Sequence, residues 1–148
     1  MSLTPEQNEA WRALIMASHV LDAALESQAQ RDGGLPHAYY KVLVFLYESP
    51  ERRMTMGELA ATQRYSVSRV THAVASMEKS GWVRRAVSER DRRVRFVQLT
   101  EAGIQLVRRV SPLQARDVRE PALEGLSDEQ IAQLTALSRA IAANLVGG

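Results

Sequence analysis

Helical periodicity at both ends of the chain, two short capped helices joined by a tight turn near its centre, and an arginine-rich stretch of strand character just after them predict one fold class. It is mainly α with a small β-wing: a winged helix-turn-helix carrying helices at its N- and C-termini.

The first helix opens at Thr4, with Pro5 at its first position and Gln7 completing a capping box. Trp11, Leu14, Ser18, Leu21 and Leu25 follow at helical spacing, and Asp32-Gly33-Gly34 ends the helix after about Gln30. Pro36 starts a second helix with Tyr39, Val42, Leu43 and Leu46 on its buried side, closing before Ser49-Pro50. Thr55 and Glu58 form another capping box and open a short helix through about Thr62, and Gln63-Arg64-Tyr65 makes a turn. Ser66 caps the next helix, which runs to about Ser80 with Gly81 behind it. Its apolar stripe is Val67, Val70, Val74 and Met77, and its polar stripe is Ser68, Arg69, Thr71 and His72.

The period then changes. Trp82–Val87 reads as a strand, Ser88–Asp91 as a turn and Arg93–Leu99 as the returning strand, with apolar residues on both faces so that the register stays open. Thr100 caps a long helix burying Ile104, Val107 and Val110, with Pro112 and Pro121 as candidate kinks. Ser127 and Gln130 form a further capping box before a last helix carrying Ile131, Leu134, Leu137, Ile141 and Leu145. The expected organisation is one domain, 1–148, in which 35–99 form a lobe and 1–31 and 101–148 form helical ends.

Composition bounds the function. Apolar residues make up 45% and charged residues 24% of the 148, the balance of an ordinary globular domain. Cysteine is absent, which removes disulfides, thiolate metal sites and cysteine-based redox sensing. His19, His37 and His72 are widely spaced with no carboxylate at ligand spacing, so no metal site and no cofactor is expected. Phosphate-binding glycine loops, G-x-S-x-G and H-E-x-x-H patterns are absent, and nothing suggests an enzyme. No run approaches the length of a membrane span, and the N-terminus has neither a basic nor an apolar leader segment, so the expected location is the cytoplasm.

Charge is unevenly placed. The net charge is +2, yet the stretch from Arg52 to Arg95 holds eleven basic and four acidic residues. A basic centre between acidic ends points to a polyanionic partner. A helix fits the major groove of duplex DNA, with its N-terminal polar residues reaching the base edges. Those residues are Ser66, Ser68, Arg69, Thr71 and His72. Arg69 suits a bidentate contact to guanine, whereas Ser66, Ser68 and Thr71 suit phosphates. On the hairpin, Arg90, Arg92, Arg93 and Arg95 crowd together with Arg84 and Arg85, a density that a polyanion would neutralise. A tip arginine suits the narrow minor groove, and Asp91 is placed to brace the Arg93 guanidinium.

These residues resemble the MarR family of bacterial transcription regulators. Asp91-Arg92-Arg93-Val94-Arg95-Phe96-Val97-Gln98-Leu99-Thr100-Glu101-Ala102-Gly103 resembles the family's wing signature, and Met77–Arg85 resembles the segment before it. The resemblance implies that Arg93 is the minor-groove arginine with Asp91 its partner, and that Ser66, Ser68, Arg69, Thr71 and His72 lie on the recognition helix. It also implies a homodimer formed by the terminal helices, reading a palindromic site with recognition helices about one DNA turn (~34 Å) apart. Small aromatic acids or drugs often bind this family between the dimer helices and the DNA-binding lobe, which would bring Trp11, Arg12, His19, Tyr39 and Tyr40 near an effector pocket. The expected function is a ligand-responsive repressor. The alternatives are a sequence-neutral architectural DNA-binding protein and a winged helix used for protein–protein assembly.

Overall fold

The computed structural model describes residues 2–64 and 66–146. Tyr65, the last residue of the expected turn, lies outside them. The order is α1 (Pro5–Gly33), α2 (His37–Glu48), a 3-10 turn (Pro50–Arg52), β1 (Arg53–Thr55), α3 (Met56–Gln63), α4 (Val67–Lys79), β2 (Val83–Val87) and β3 (Arg95–Leu99). Then follow α5 (Glu101–Gln114), a π-turn (Ala115–Arg119), α6 (Glu120–Leu123) and α7 (Asp128–Val146). Among the described residues no helix is long and apolar enough to cross a membrane.

Most helix starts are set by adjacent residues. Thr4 Oγ1 accepts from the Gln7 N–H (3.2 Å) while Gln7 Oε1 accepts from the Thr4 N–H (2.9 Å). Thr55 with Glu58, and Ser127 with Gln130, repeat the same reciprocal pair. Ser66 caps α4 through the Arg69 N–H, and Thr100 caps α5 through the Gly103 N–H. Gly34 ends α1 at φ 69°, a left-handed geometry glycine adopts without strain.

α2 starts differently. Its N-cap is Pro36, which offers no side-chain oxygen. The carboxylate of Glu26, on α1, accepts from the His37 N–H instead (2.9 Å) and is held below the usual glutamate range mainly by that bond. Burial pushes the His37 imidazole below its ordinary value, and its Nδ1 is buried without a hydrogen-bond partner among the described residues.

The sheet has three antiparallel strands in the order β1-β3-β2. β1 was not expected from the sequence: three residues are too few for an alternation to show, and pairing with β3 (Met54 opposite Val97) creates the strand. β2 and β3 pair with Val83 opposite Leu99 and Val87 opposite Arg95, which settles the hairpin register. Val83, Val97 and Leu99 face the core, while Arg84, Ala86, Phe96 and Gln98 lie on the outer face. The returning strand starts at Arg95 and not at Arg93, because Asp91 folds Arg92 and Arg93 into the turn.

The core joins Leu35, Tyr40, Leu43 and Leu46 to Leu59 of α3, Val70, Val74 and Met77 of α4, the inner sheet face, and Leu106, Val107 and Val110 of α5. Val67 is a correction to the expected apolar stripe: it is 55% exposed, because the first turn of α4 projects beyond the core. Ile104 and Tyr39 pack against the core only half-buried. Pro112 lies inside α5 without ending it, and the backbone passes into the π-turn three residues later. The far ends are bare. No residue of α7 is buried, and Trp11, Ile15, Met16 and Val20 of α1 are exposed, as are Leu134, Leu137 and Ile141 of α7.

Candidate nucleic-acid interface

α3 and α4 form the helix-turn-helix. Arg64 closes α3 in the left-handed region (φ 54°), and Ser66 caps α4. Val70, Ala73, Val74 and Met77 anchor α4, and this leaves Ser66, Ser68, Arg69, Thr71 and His72 exposed together. The five residues expected on a recognition helix therefore share one surface. Ser66 Oγ accepts from its own helix, and the Thr71 hydroxyl donates to the Val67 carbonyl (2.8 Å). Thr71 would have to turn its hydrogen outward to serve a phosphate.

The wing is held by two side chains. Ser88 Oγ accepts from the N–H groups of Arg90 (3.3 Å) and Asp91 (3.4 Å), and Asp91 Oδ1 accepts from the Arg93 N–H (3.0 Å). The Ser88 N–H donates to the Val94 carbonyl, closing the hairpin. Asp91 thus meets the backbone of Arg93 and not its guanidinium; among the described ion pairs there is none between the two side chains. An aspartate two residues before an N–H makes a compact turn, a cheaper arrangement than ordering a long exposed side chain. Arg90, Asp91, Arg92, Arg93 and Arg95 are all exposed.

Other arginines of the basic centre are already engaged. Arg84 donates to Gln98 Oε1 (2.8 Å) directly across the strands, and Arg85 pairs with Glu78 (3.6 Å). Arg53 stacks over Phe96 (4.3 Å) and pairs with Glu51 (2.7 Å). Arg52 lies over the Tyr47 ring and donates to the Tyr47 carbonyl. The Arg84–Gln98 pair escaped sequence reasoning because it depends on the hairpin register. Arg53 escaped with β1.

The five candidate effector residues do not meet. Trp11, Arg12 and His19 line an open groove on α1 with Ile15 and Met16. Tyr40 is in the core, where burial raises its phenol above the ordinary value. Tyr39 faces a cavity of about 230 Å³ between α2 and α4, lined also by Val42, Arg69, Val70, His72 and Ala73. Helical spacing explains the division: Tyr39 and Tyr40 are adjacent and so point about 100° apart around α2. Among the described residues no group of histidines and carboxylates is arranged to hold a metal ion.

A helix-turn-helix with an exposed polar second helix, followed by a basic β2–β3 hairpin that completes a three-stranded sheet with β1, defines a winged helix-turn-helix protein. A family model described as "MarR family" matches residues 33–94. The chain is similar to two solved MarR family transcriptional regulators from Streptomyces coelicolor. Sco3205, crystallised in complex with DNA, is 42% identical, with a TM-score of 0.92 over 98% of this chain and 91% of that one. AbsC is 35% identical, with a TM-score of 0.93 over 100% of this chain and 99% of that one. The chain belongs to the MarR family of transcriptional regulators, a family of regulators and not of enzymes. Among curated proteins, the transcriptional repressor MprA of Escherichia coli is 27% identical over 124 residues, covering 81% of this chain and 70% of that protein. The regulator PrsX of Escherichia coli is 26% identical over 87 residues, and the match spans about half (52%) of its length.

Proposed function

We propose that the chain is a homodimeric repressor that binds a palindromic operator through α4 and the wing. The observation that carries this reading is the shared exposure of Ser66, Ser68, Arg69, Thr71 and His72 beside a wing whose arginines stand in solvent. Its similarity to Sco3205, a protein crystallised with DNA, supports the same reading. Arg69 reads bases and Arg93 enters the minor groove, while Asp91 fixes the backbone from which Arg93 projects.

Dimerisation rests on the apolar ends. Leu3, Trp11 and Leu14 of the N-terminal segment and Leu134, Leu137 and Ile141 of α7 line one open groove of about 460 Å³. A second copy covers it and sets two recognition helices about one helical turn apart. As a regulator acting on DNA, the protein works in the cytoplasm.

Ligand response belongs to the cavity between α2 and α4. Its ~230 Å³ exceeds the ~150 Å³ that holds benzene and falls below the ~300 Å³ of drug-sized pockets. That size suits a one-ring acid, with its ring against Tyr39, Val42 and Val70 and its carboxylate on Arg69. Such a ligand would draw Arg69 away from the bases.

The test is competition between a site selected from random duplexes and bulk random duplex, at several salt concentrations, with and without a panel of aromatic acids. A specificity ratio near one at every salt concentration would favour the architectural alternative. In the same assay Arg93→Ala is expected to weaken binding on all sequences and to lower the salt slope by about one. Arg69→Ala is expected to cost ~1–3 kcal/mol on the selected site and little on random duplex. Equal losses on both would make Arg69 a phosphate contact.

A further inference from the structure

Only Gln28 and Ala29 of the 29-residue α1 are buried, so apolar packing alone does little to orient this helix on the rest of the chain. A polar cluster at its foot supplies direction. Arg31 pairs with Asp117 of the π-turn (2.6 Å) and with Asp32 (2.9 Å). Gln28 donates to Asp32 (3.0 Å), and Arg109 of α5 donates to the Asp32 carbonyl (2.6 Å). Arg116 grips the Asp117 carboxylate with two bonds of 2.6 and 3.0 Å. The Arg31–Asp117 and Arg109–Asp32 contacts cross from α1 to the α5 arm, whose Leu106, Val107 and Val110 are set in the lobe's core. The π-turn itself is a local departure from α geometry of the kind that recurs at functional positions.

We infer that Arg31 and Asp117 are positioning residues that determine which half-site spacing the dimer accepts, by locking α1 against the α5 arm. The inference rests on the proposed reading of two-fold operator binding. Its leverage is geometric. A 29-residue helix is ~43 Å long, so a tilt of about 5° at the foot displaces the far end by about 4 Å. Successive base pairs are only ~3.4 Å apart. With the apolar ends of α1 joined to a second copy, freedom at this cluster becomes freedom of about one base pair between recognition helices. Loss of the cluster therefore costs selectivity among spacings more than it costs contact with either half-site.

The experiment uses the full chain and the palindromic site that the wild type selects from random duplexes. The two half-sites are then re-spaced by one and two base pairs in each direction. The wild type is expected to prefer one spacing steeply. Asp117→Asn and Arg31→Gln are each expected to shrink that preference roughly fivefold while keeping the dimer mass and the salt slope. Asp117→Glu, which retains the charge, is expected to restore much of the preference. An unchanged spacing profile in both variants overturns the inference, and so does an equal loss of affinity at every spacing, which marks a merely structural role. A wild-type profile that is already flat, with specific binding intact, overturns the two-fold reading beneath it.

Discussion

Leu137→Asp is expected to leave the chain folded, to convert it to a monomer, and to lower its affinity for the palindromic site by about 10²- to 10⁴-fold. Leu137 is 62% exposed in the single chain, and no residue of α7 is buried there. The substitution therefore removes no intrachain core contact. The same side chain lines the groove with Trp11 and Leu14 that the proposed second copy would cover, and a carboxylate at that position would there be desolvated without a partner. On the proposed two-fold reading each half-site contact would survive in the monomer, and only the benefit of linking the two would be lost. Sedimentation gives the mass, circular dichroism the fold, and fluorescence anisotropy the affinity. A variant that remains dimeric at micromolar concentration would move the interface away from α7.

The largest expected effect on stability is at Gly103. A Cβ there would sit 2.2 Å from the Trp82 carbonyl oxygen and 2.6 Å from Leu99 Cδ1. The start of α5 is stitched to the start of β2 at this point. The Thr100 N–H donates to the Trp82 carbonyl (3.0 Å), and the Thr100 hydroxyl donates to the Gly81 carbonyl (2.6 Å). The obstructing atom is backbone held by these bonds, so it has little room to yield. Helix propensity favours alanine over glycine by about 1 kcal/mol, which is opposite in sign and smaller. Gly103→Ala is expected to cost about 2–3 kcal/mol net. For a chain of this size the thermal midpoint should fall by roughly 5–10 °C. An equal or higher midpoint would show that the wing and α5 can separate without penalty.

That glycine is also where the sequence resemblance acquires a physical cause. The stretch from Asp91 to Gly103 was legible as a motif, and the structure gives its parts distinct tasks. Asp91 builds the turn, Val97 and Leu99 fill the core, Thr100 caps α5, and Gly103 permits close approach. Features written within four residues were read correctly: three capping boxes, the Ser66 cap and the Thr100 cap. What escaped depends on partners far along the chain. β1 exists through β3, Arg84 is held across the hairpin by Gln98, and Arg31 meets Asp117 from 86 residues away. The candidate effector residues dispersed for the same reason. Spacing places a residue on a helix face but does not say which cavity that face meets.

The carboxylate that closes the N-terminus of α2 belongs to another helix, and this limits how the molecule can be taken apart. A fragment beginning at Leu35 would keep the helix-turn-helix and the wing but lose Glu26. The first turn of α2 would then open to water beneath Tyr40 and Leu43, two of the most deeply buried side chains. Such a fragment is expected to be less stable by about 0.5–2 kcal/mol, the usual cost of a lost helix cap. Carrying the end of α1 along, or writing a serine or aspartate where Pro36 now stands, is expected to recover that loss.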